Sequence, residues 1–123
     1  MDTKNPSAKF LIVDDDETFT RVLSRAIERR GYETAVAGSA EEALRLLEKF
    51  TPDLATLDLK MDGASGIPLV PRLKTLNPDM KILILTGYSS ISTAVEAIKL
   101  GATDYLAKPA DTDQILAKLK GAE

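Results

Sequence analysis

The chain has 123 residues, 44% apolar and 28% charged, with a net charge of −3, which fits one globular domain able to bury a core without disulfides or a structural metal. It has no cysteine and no histidine, which excludes disulfides, thiolate chemistry, Cys-based zinc or iron–sulfur sites and the commonest general base, so any metal must be held by oxygen, favouring Mg2+ or Ca2+. The charge gives no reason to expect direct contact with nucleic acid, no apolar run approaches the roughly 20 residues of a membrane helix, and Met1–Pro6 lacks the apolar core of a signal peptide, so a cytoplasmic location is expected.

Lys9-Phe10-Leu11-Ile12-Val13 is a β-rich apolar run that stops at Asp14-Asp15-Asp16. Phe19, Val22, Leu23, Ala26 and Ile27 then recur at the spacing of a helix with one buried face, and Gly31 ends it as a C-cap glycine would. Glu33–Ala37 predicts a second strand, less apolar and therefore nearer a sheet edge. Ser39 with Glu42 forms a capping box for a helix whose apolar face is Ala40, Ala43, Leu44 and Leu47. Pro52 breaks the chain before Leu54-Ala55-Thr56-Leu57, a buried strand ending in Asp58. The stretch Gly63-Ala64-Ser65-Gly66 reads as loop, and Ile67, Val70, Leu73 and Leu76 mark a third helix. Pro68 suits its first turn, while Pro71 predicts a kinked or short helix. After the Asn77-Pro78-Asp79 turn, Lys81–Leu85 is a buried strand ending at Thr86-Gly87. Ile91, Ala94, Val95 and Ile98 give a fourth helix closed by Gly101. Asp104–Ala107 is the last strand and ends at Lys108-Pro109; Asp111 caps a final helix carrying Ile115, Leu116 and Leu119.

Strand and helix alternate five times with short links and no internal repeat. That pattern predicts an α/β domain with a parallel sheet, helices on both faces and right-handed crossovers. In such a sheet all C-terminal strand ends lie along one edge, where open α/β sheets bind ligands. The edge gathers Asp14 and Asp15 from the first strand, Asp58 from the third, Thr86 from the fourth and Lys108 from the fifth. Carboxylates brought together repel, and a divalent cation relieves the repulsion; Mg2+ suits a few carboxylates plus water and phosphate. A lysine supplies a point charge for a phosphoryl oxygen and a hydroxyl a neutral hydrogen bond. A carboxylate can itself be the nucleophile, forming an aspartyl-phosphate. Taken singly, each residue has a plainer account: Asp14-Asp15-Asp16 as a solvated helix start, Asp58 as a loop-capping acid, Thr86 as a strand-end hydroxyl, Lys108 as a surface charge. Four strand ends with complementary chemistry, in the order the topology demands, favour the phosphoryl site.

At these residues the chain resembles the receiver domain of bacterial two-component response regulators. Phe10–Glu17 is similar to the family's opening strand with its acidic pair. Asp58–Gly63 with Gly66 resembles the phosphoacceptor loop, and Leu85-Thr86-Gly87 and Gly101–Pro109 resemble the two later motifs. The resemblance covers roughly residues 9 to 119 and implies a doubly wound, flavodoxin-like (βα)5 fold with strand order 2-1-3-4-5, the whole of residues 1–123 forming one receiver domain. It implies that Asp58 accepts phosphate from a phosphohistidine on a sensor histidine kinase, the domain being a phosphoacceptor that promotes its own phosphorylation and dephosphorylation rather than an enzyme. Asp14, Asp15, Asp58 and the backbone carbonyl of Lys60 would hold Mg2+. Lys108 would pair with the phosphoryl group, with a cis bond to Pro109. Thr86 and Tyr105 would be the switch pair, Thr86 swinging toward the phosphoryl oxygen and Tyr105 turning inward; by its sequence alone Tyr105 is a half-buried core aromatic. The same resemblance implies an output face over residues 91–100, 104–107 and 111–119 that forms a homodimer, with no membrane contact.

The chain departs from the family where Asp62 replaces the usual proline and Ala110 a frequent aromatic. Lys60 and Tyr88, two residues past Asp58 and Thr86, are placed to tune phosphoryl hydrolysis. Ala110, Thr86-Gly87-Tyr88 and Ser92–Lys99 are most similar to the RegA/PrrA/ActR group of transcriptional regulators, in which a Fis-like helix-turn-helix domain follows the receiver. These residues contain no such domain, so the chain is expected to be part of a longer, DNA-binding protein. Two other classes compete. A Mg2+-dependent phosphohydrolase with an aspartyl nucleophile typically carries a second Asp two residues on, where this chain has Lys60. A stand-alone or phosphorylation-independent receiver would act by protein contacts alone, and the intact set Asp14, Asp15, Asp58, Thr86 and Lys108 argues against the phosphorylation-independent form.

Overall fold

The computed structural model describes residues 8–61, 64–87 and 91–120, and for 60, 61, 64, 65 and 91 the backbone alone. Met1–Pro6, Asp62, Gly63, Tyr88 and the side chains of Lys60 and Ile91, all discussed above, lie outside the described residues. The elements are β1 (Lys9–Val13), α1 (Glu17–Glu28), β2 (Glu33–Ala37), α2 (Ala40–Leu46), β3 (Leu54–Asp58), β4 (Lys60–Met61), β5 (Ala64–Ser65), α3 (Leu69–Leu76), β6 (Lys81–Thr86), α4 (Ile91–Lys99), β7 (Asp104–Ala107) and α5 (Thr112–Lys120).

Five strands form one parallel sheet in the order β2-β1-β3-β6-β7, which is the expected 2-1-3-4-5 once the ribbon strands β4 and β5 are set aside. The central strands β1, β3 and β6 are buried after their first residue, whereas β2 and β7 are only partly covered, as edge strands are. Successive strand residues face opposite sides, so each strand feeds two cores. Leu11, Val13, Ala55, Leu57, Ile82 and Ile84 pack with Ala43 of α2, Leu69, Val70 and Leu73 of α3 and Ala94 and Ala97 of α4. Phe10, Ile12, Leu83 and Leu85 pack with Leu23 and Ile27 of α1 and Ile115, Leu116 and Leu119 of α5.

The helix ends follow local chemistry. Asp16 caps α1 by accepting from the Phe19 N–H, and Gly31 takes the positive φ of 95° that closes the turn after it. Ser39 accepts from the Glu42 N–H as the capping box requires, but the Glu42 carboxylate reaches back to Gly38 rather than to Ser39. Asp111 and Gln114 form a reciprocal box at α5.

Several details differ from the sequence pattern. The buried stripe of α1 is Thr20, Leu23 and Ile27; at about 100° per residue Val22 points well away from its centre and is 61% exposed. For the same reason Ala97 is buried on α4 while Val95 is exposed. On α3 Leu69 is buried while Leu76, seven residues on and so on the same face, is exposed because it is the last residue of the helix. Helix α3 starts at Leu69, one residue later than a first-turn Pro68 implies. Pro71 therefore falls at its third position, where the missing N–H costs no intrahelical bond, and the helix is short. The expected loop at Ala64-Ser65 is instead β5, pairing antiparallel with Lys60-Met61 of β4 in a small ribbon just past Asp58.

Candidate functional site

The sheet ladders pin the functional backbone. The Asp14 N–H donates to the Ala37 carbonyl, carrying the β1–β2 ladder one residue further, and the Lys108 N–H donates to the Thr86 carbonyl, doing the same for β6–β7. Asp58 is the last residue of β3, paired with Leu85. These registers bring the ends of β1, β3, β6 and β7 to one edge.

There Lys108 Nζ donates to Asp14 Oδ2 at 2.7 Å and stands 3.6 Å from Asp58 Oδ2. Asp14 is 2% exposed and its other oxygen, Oδ1, accepts from the Asp16 N–H at 3.0 Å, so its carboxylate is held on both sides. Asp58 is buried at the same edge, and Asp15 is exposed at its mouth. Burial is the largest single influence on the Lys108 ammonium and pulls its pKa down. The Asp14 hydrogen bond and the charges of Asp14, Asp58 and Asp16 together outweigh it and hold the pKa above the ordinary 10.5. The Lys108–Pro109 peptide is cis.

Carboxylate oxygens of Asp14, Asp15 and Asp58 lie within 4.8 Å of one another. Around an octahedral Mg2+ at about 2.1 Å, opposite oxygens stand about 4.2 Å apart, so the three are within a small side-chain adjustment of facing one ion. An all-oxygen donor set of this kind suits Mg2+ or Ca2+.

The other expected residues make contacts outside the acidic cluster. Thr86 is 1% exposed, and its hydroxyl donates to the adjacent Gly87 carbonyl rather than into the acidic cluster. Tyr105 is half-buried on β7 and packs against the core on the α2–α4 side. Lys60 opens β4, opposite Ser65. Two residues had no role in the sequence-derived site. Asp16 both caps α1 and contributes to the field on Lys108; an Asp before a helical run signals the cap, though not the field. Phe19 lies under the Lys108 ammonium, 4.9 Å from ring centroid to Nζ, and its helical spacing marks it only as a core residue.

A doubly wound sheet with three carboxylates and a lysine at its C-terminal edge defines a receiver. The profile of the response regulator receiver domain matches residues 10–120, and the chain belongs to that family. Its relatives place it in the group of ActR and RegA. It is 44% identical over 118 residues to the acid tolerance regulatory protein ActR of Rhizobium meliloti, covering 96% of this chain and 61% of the relative. It is 45% identical over 109 residues to the photosynthetic apparatus regulatory protein RegA of Rhodovulum sulfidophilum, covering 89% and 60%. The chain thus spans about three-fifths of the length of these relatives. A crystal structure of a response regulator protein from Burkholderia pseudomallei, with a phosphorylated aspartic acid, a calcium ion and citrate, superposes with a TM-score of 0.86 at 47% identity over 92% of this chain and 66% of that one.

Proposed function

We propose that residues 1–123 form one phosphoacceptor domain with its core at about 9–119, in which Asp58 takes a phosphoryl group from a sensor histidine kinase and so switches an output. The observation that carries this is the Lys108 ammonium lying between Asp14 at 2.7 Å and Asp58 at 3.6 Å, beside three carboxylates within 4.8 Å of one another. The phosphorylated aspartic acid and calcium ion of the Burkholderia neighbour support it.

In this scheme an Asp58 oxygen forms the new P–O bond as the N–P bond to the kinase histidine breaks, and the imidazole leaves with the electron pair and takes up a proton. Lys108 transfers its pairing toward a phosphoryl oxygen and offsets the charge that builds there. Asp14, Asp15, Asp58 and the Lys60 carbonyl would hold Mg2+, which when bound would supply charge neutralisation for the phosphoryl group. The Thr86 hydroxyl leaves the Gly87 carbonyl for a phosphoryl oxygen, and Tyr105 turns inward behind it. Hydrolysis of the same P–O bond by water resets the domain, which makes it a switch rather than an enzyme acting on a separate substrate. Output passes through residues about 91–119 as a homodimer. In the whole protein it reaches transcription through a separate DNA-binding segment; the Escherichia coli relative ZraR, 42% identical over 112 residues, carries the name transcriptional regulatory protein. No described helix is long and apolar enough to cross a membrane, and the proposal places the domain in the cytoplasm with the catalytic part of its kinase.

Intact-mass spectrometry after incubation with acetyl phosphate and Mg2+ tests the proposal, with Asp58→Asn alongside. One Mg2+-dependent phosphoryl adduct, absent from the variant, is expected. An unmodified native chain that nevertheless binds Mg2+ would instead indicate a receiver working without phosphorylation.

A further inference from the structure

Lys108 carries its charge on a flexible four-carbon stem, yet a phosphoryl clamp needs that charge at a fixed place. Asp14 alone would draw it to one side. The Phe19 ring stands 4.9 Å from Lys108 Nζ, inside the roughly 6 Å range over which a ring face attracts a cation. The ring's own position is set twice. The Phe19 N–H donates to the Asp16 side chain at 3.1 Å in the α1 cap, and the ring packs against the core formed by Phe10, Leu23, Leu85 and Ile115. The same acidic loop therefore places the Asp14 carboxylate and, through the cap, the ring.

We propose that Phe19 is a positioning residue that holds the Lys108 ammonium beside Asp58 through the face of its ring. The attraction of the ring for the ammonium uses no donor N–H that a phosphoryl oxygen needs, so nothing in this contact opposes the exchange of Asp14 for a phosphoryl oxygen. The inference rests on the role assigned above to Lys108 in phosphoryl transfer.

The test replaces Phe19 by mono-, di- and trifluorophenylalanine, which keep the shape of the ring and progressively weaken the negative charge of its face, and adds Phe19→Leu and Phe19→Tyr. Phosphorylation by acetyl phosphate at fixed Mg2+ should slow stepwise along the fluorinated series, with thermal midpoints unchanged. It should fall roughly two- to fivefold in Phe19→Leu and be restored in Phe19→Tyr. By NMR the Lys108 εCH2 protons should be shifted upfield by the ring in the native chain and return to the free-lysine position in Phe19→Leu. The εCH2 shift decides the contact whether or not an adduct forms, so its absence overturns the inference even if phosphorylation proceeds. Rates that stay flat along the fluorinated series overturn it too. A native chain that shows the shift but forms no adduct leaves the contact standing and sinks the phosphoacceptor proposal instead.

Discussion

Replacing Lys108 by Met keeps most of the length and the apolar character of the side-chain stem and removes the charge, and with it the ammonium that stands over Phe19. At an effective dielectric constant near 20, unit charges 2.7 Å and 3.6 Å apart, the separations of Lys108 from Asp14 and Asp58, attract by about 6 and 5 kcal/mol. These gross terms are offset by the cost of desolvating the lysine. The net loss also has a ceiling, because a carboxylate stripped of its partner can take up a proton, which at pH 7 costs an ordinary Asp about 4 kcal/mol. Lys108→Met is therefore expected to lose about 2–4 kcal/mol at pH 7 without Mg2+, and still to fold, since a domain of this size holds about 5–15 kcal/mol. The loss should shrink as the pH falls toward about 4, where protonated carboxylates no longer need a cation. Millimolar Mg2+ should shrink it as well, because a metal bound only to the folded chain replaces the missing charge. Urea unfolding of both chains, at both pH values and with and without Mg2+, reads all of this. A loss that is the same in all four conditions would mean that packing, and not charge balance, is what Lys108 contributes.

The raised pKa of Lys108 predicts the behaviour at the other end of the scale. Its folded form holds the proton more tightly than the unfolded chain, so its contribution is complete below 10.5 and drains away as the pH rises through the folded value. The gap in urea midpoint between the native chain and Lys108→Met should accordingly close above about pH 10.5, and a gap that widens there refutes the assignment. Thr56 Oγ1 is buried at mid-strand in β3 without a hydrogen-bond partner. Thr56→Val exchanges that hydroxyl for a methyl of nearly the same size and should raise stability by about 1 kcal/mol; a lower thermal midpoint would show that the hydroxyl is bonded in solution.

The strands and their order are the part of the fold best expressed in sequence, for a physical reason. Strands buried on both faces must be apolar almost throughout, so Phe10–Val13, Leu54–Leu57 and Ile82–Leu85 stand out against their surroundings. Helix faces are less legible, because small residues blur the period. Ala97 and Thr20 take buried positions on α4 and α1, where Val95 and Val22 look better suited on hydropathy. Those two valines are left at the surface because the angle to the sheet, not side-chain preference, selects the buried face. The β4–β5 ribbon went unread for want of length. Two-residue strands show no alternation, although the Asp62-Gly63 pair between them is a recognised hairpin signal.

The candidate site divides along the same line. Asp14, Asp15, Asp58 and Lys108 could be placed together because each ends or follows a strand, and strand order alone fixes which ends are neighbours. What strand order cannot supply is aim. Thr86 lies at its expected strand end, yet its hydroxyl is engaged by its own neighbour's carbonyl, a choice made by a single side-chain rotation that no spacing encodes. Phe19 is the converse case. Its helical spacing accounts for it fully as a core residue, and only the meeting of the first turn of α1 with the end of β7 puts its ring beneath a cation. A side chain with a sufficient structural reason to be where it is gives the sequence no residue left to explain, and its second role shows only when distances are measured.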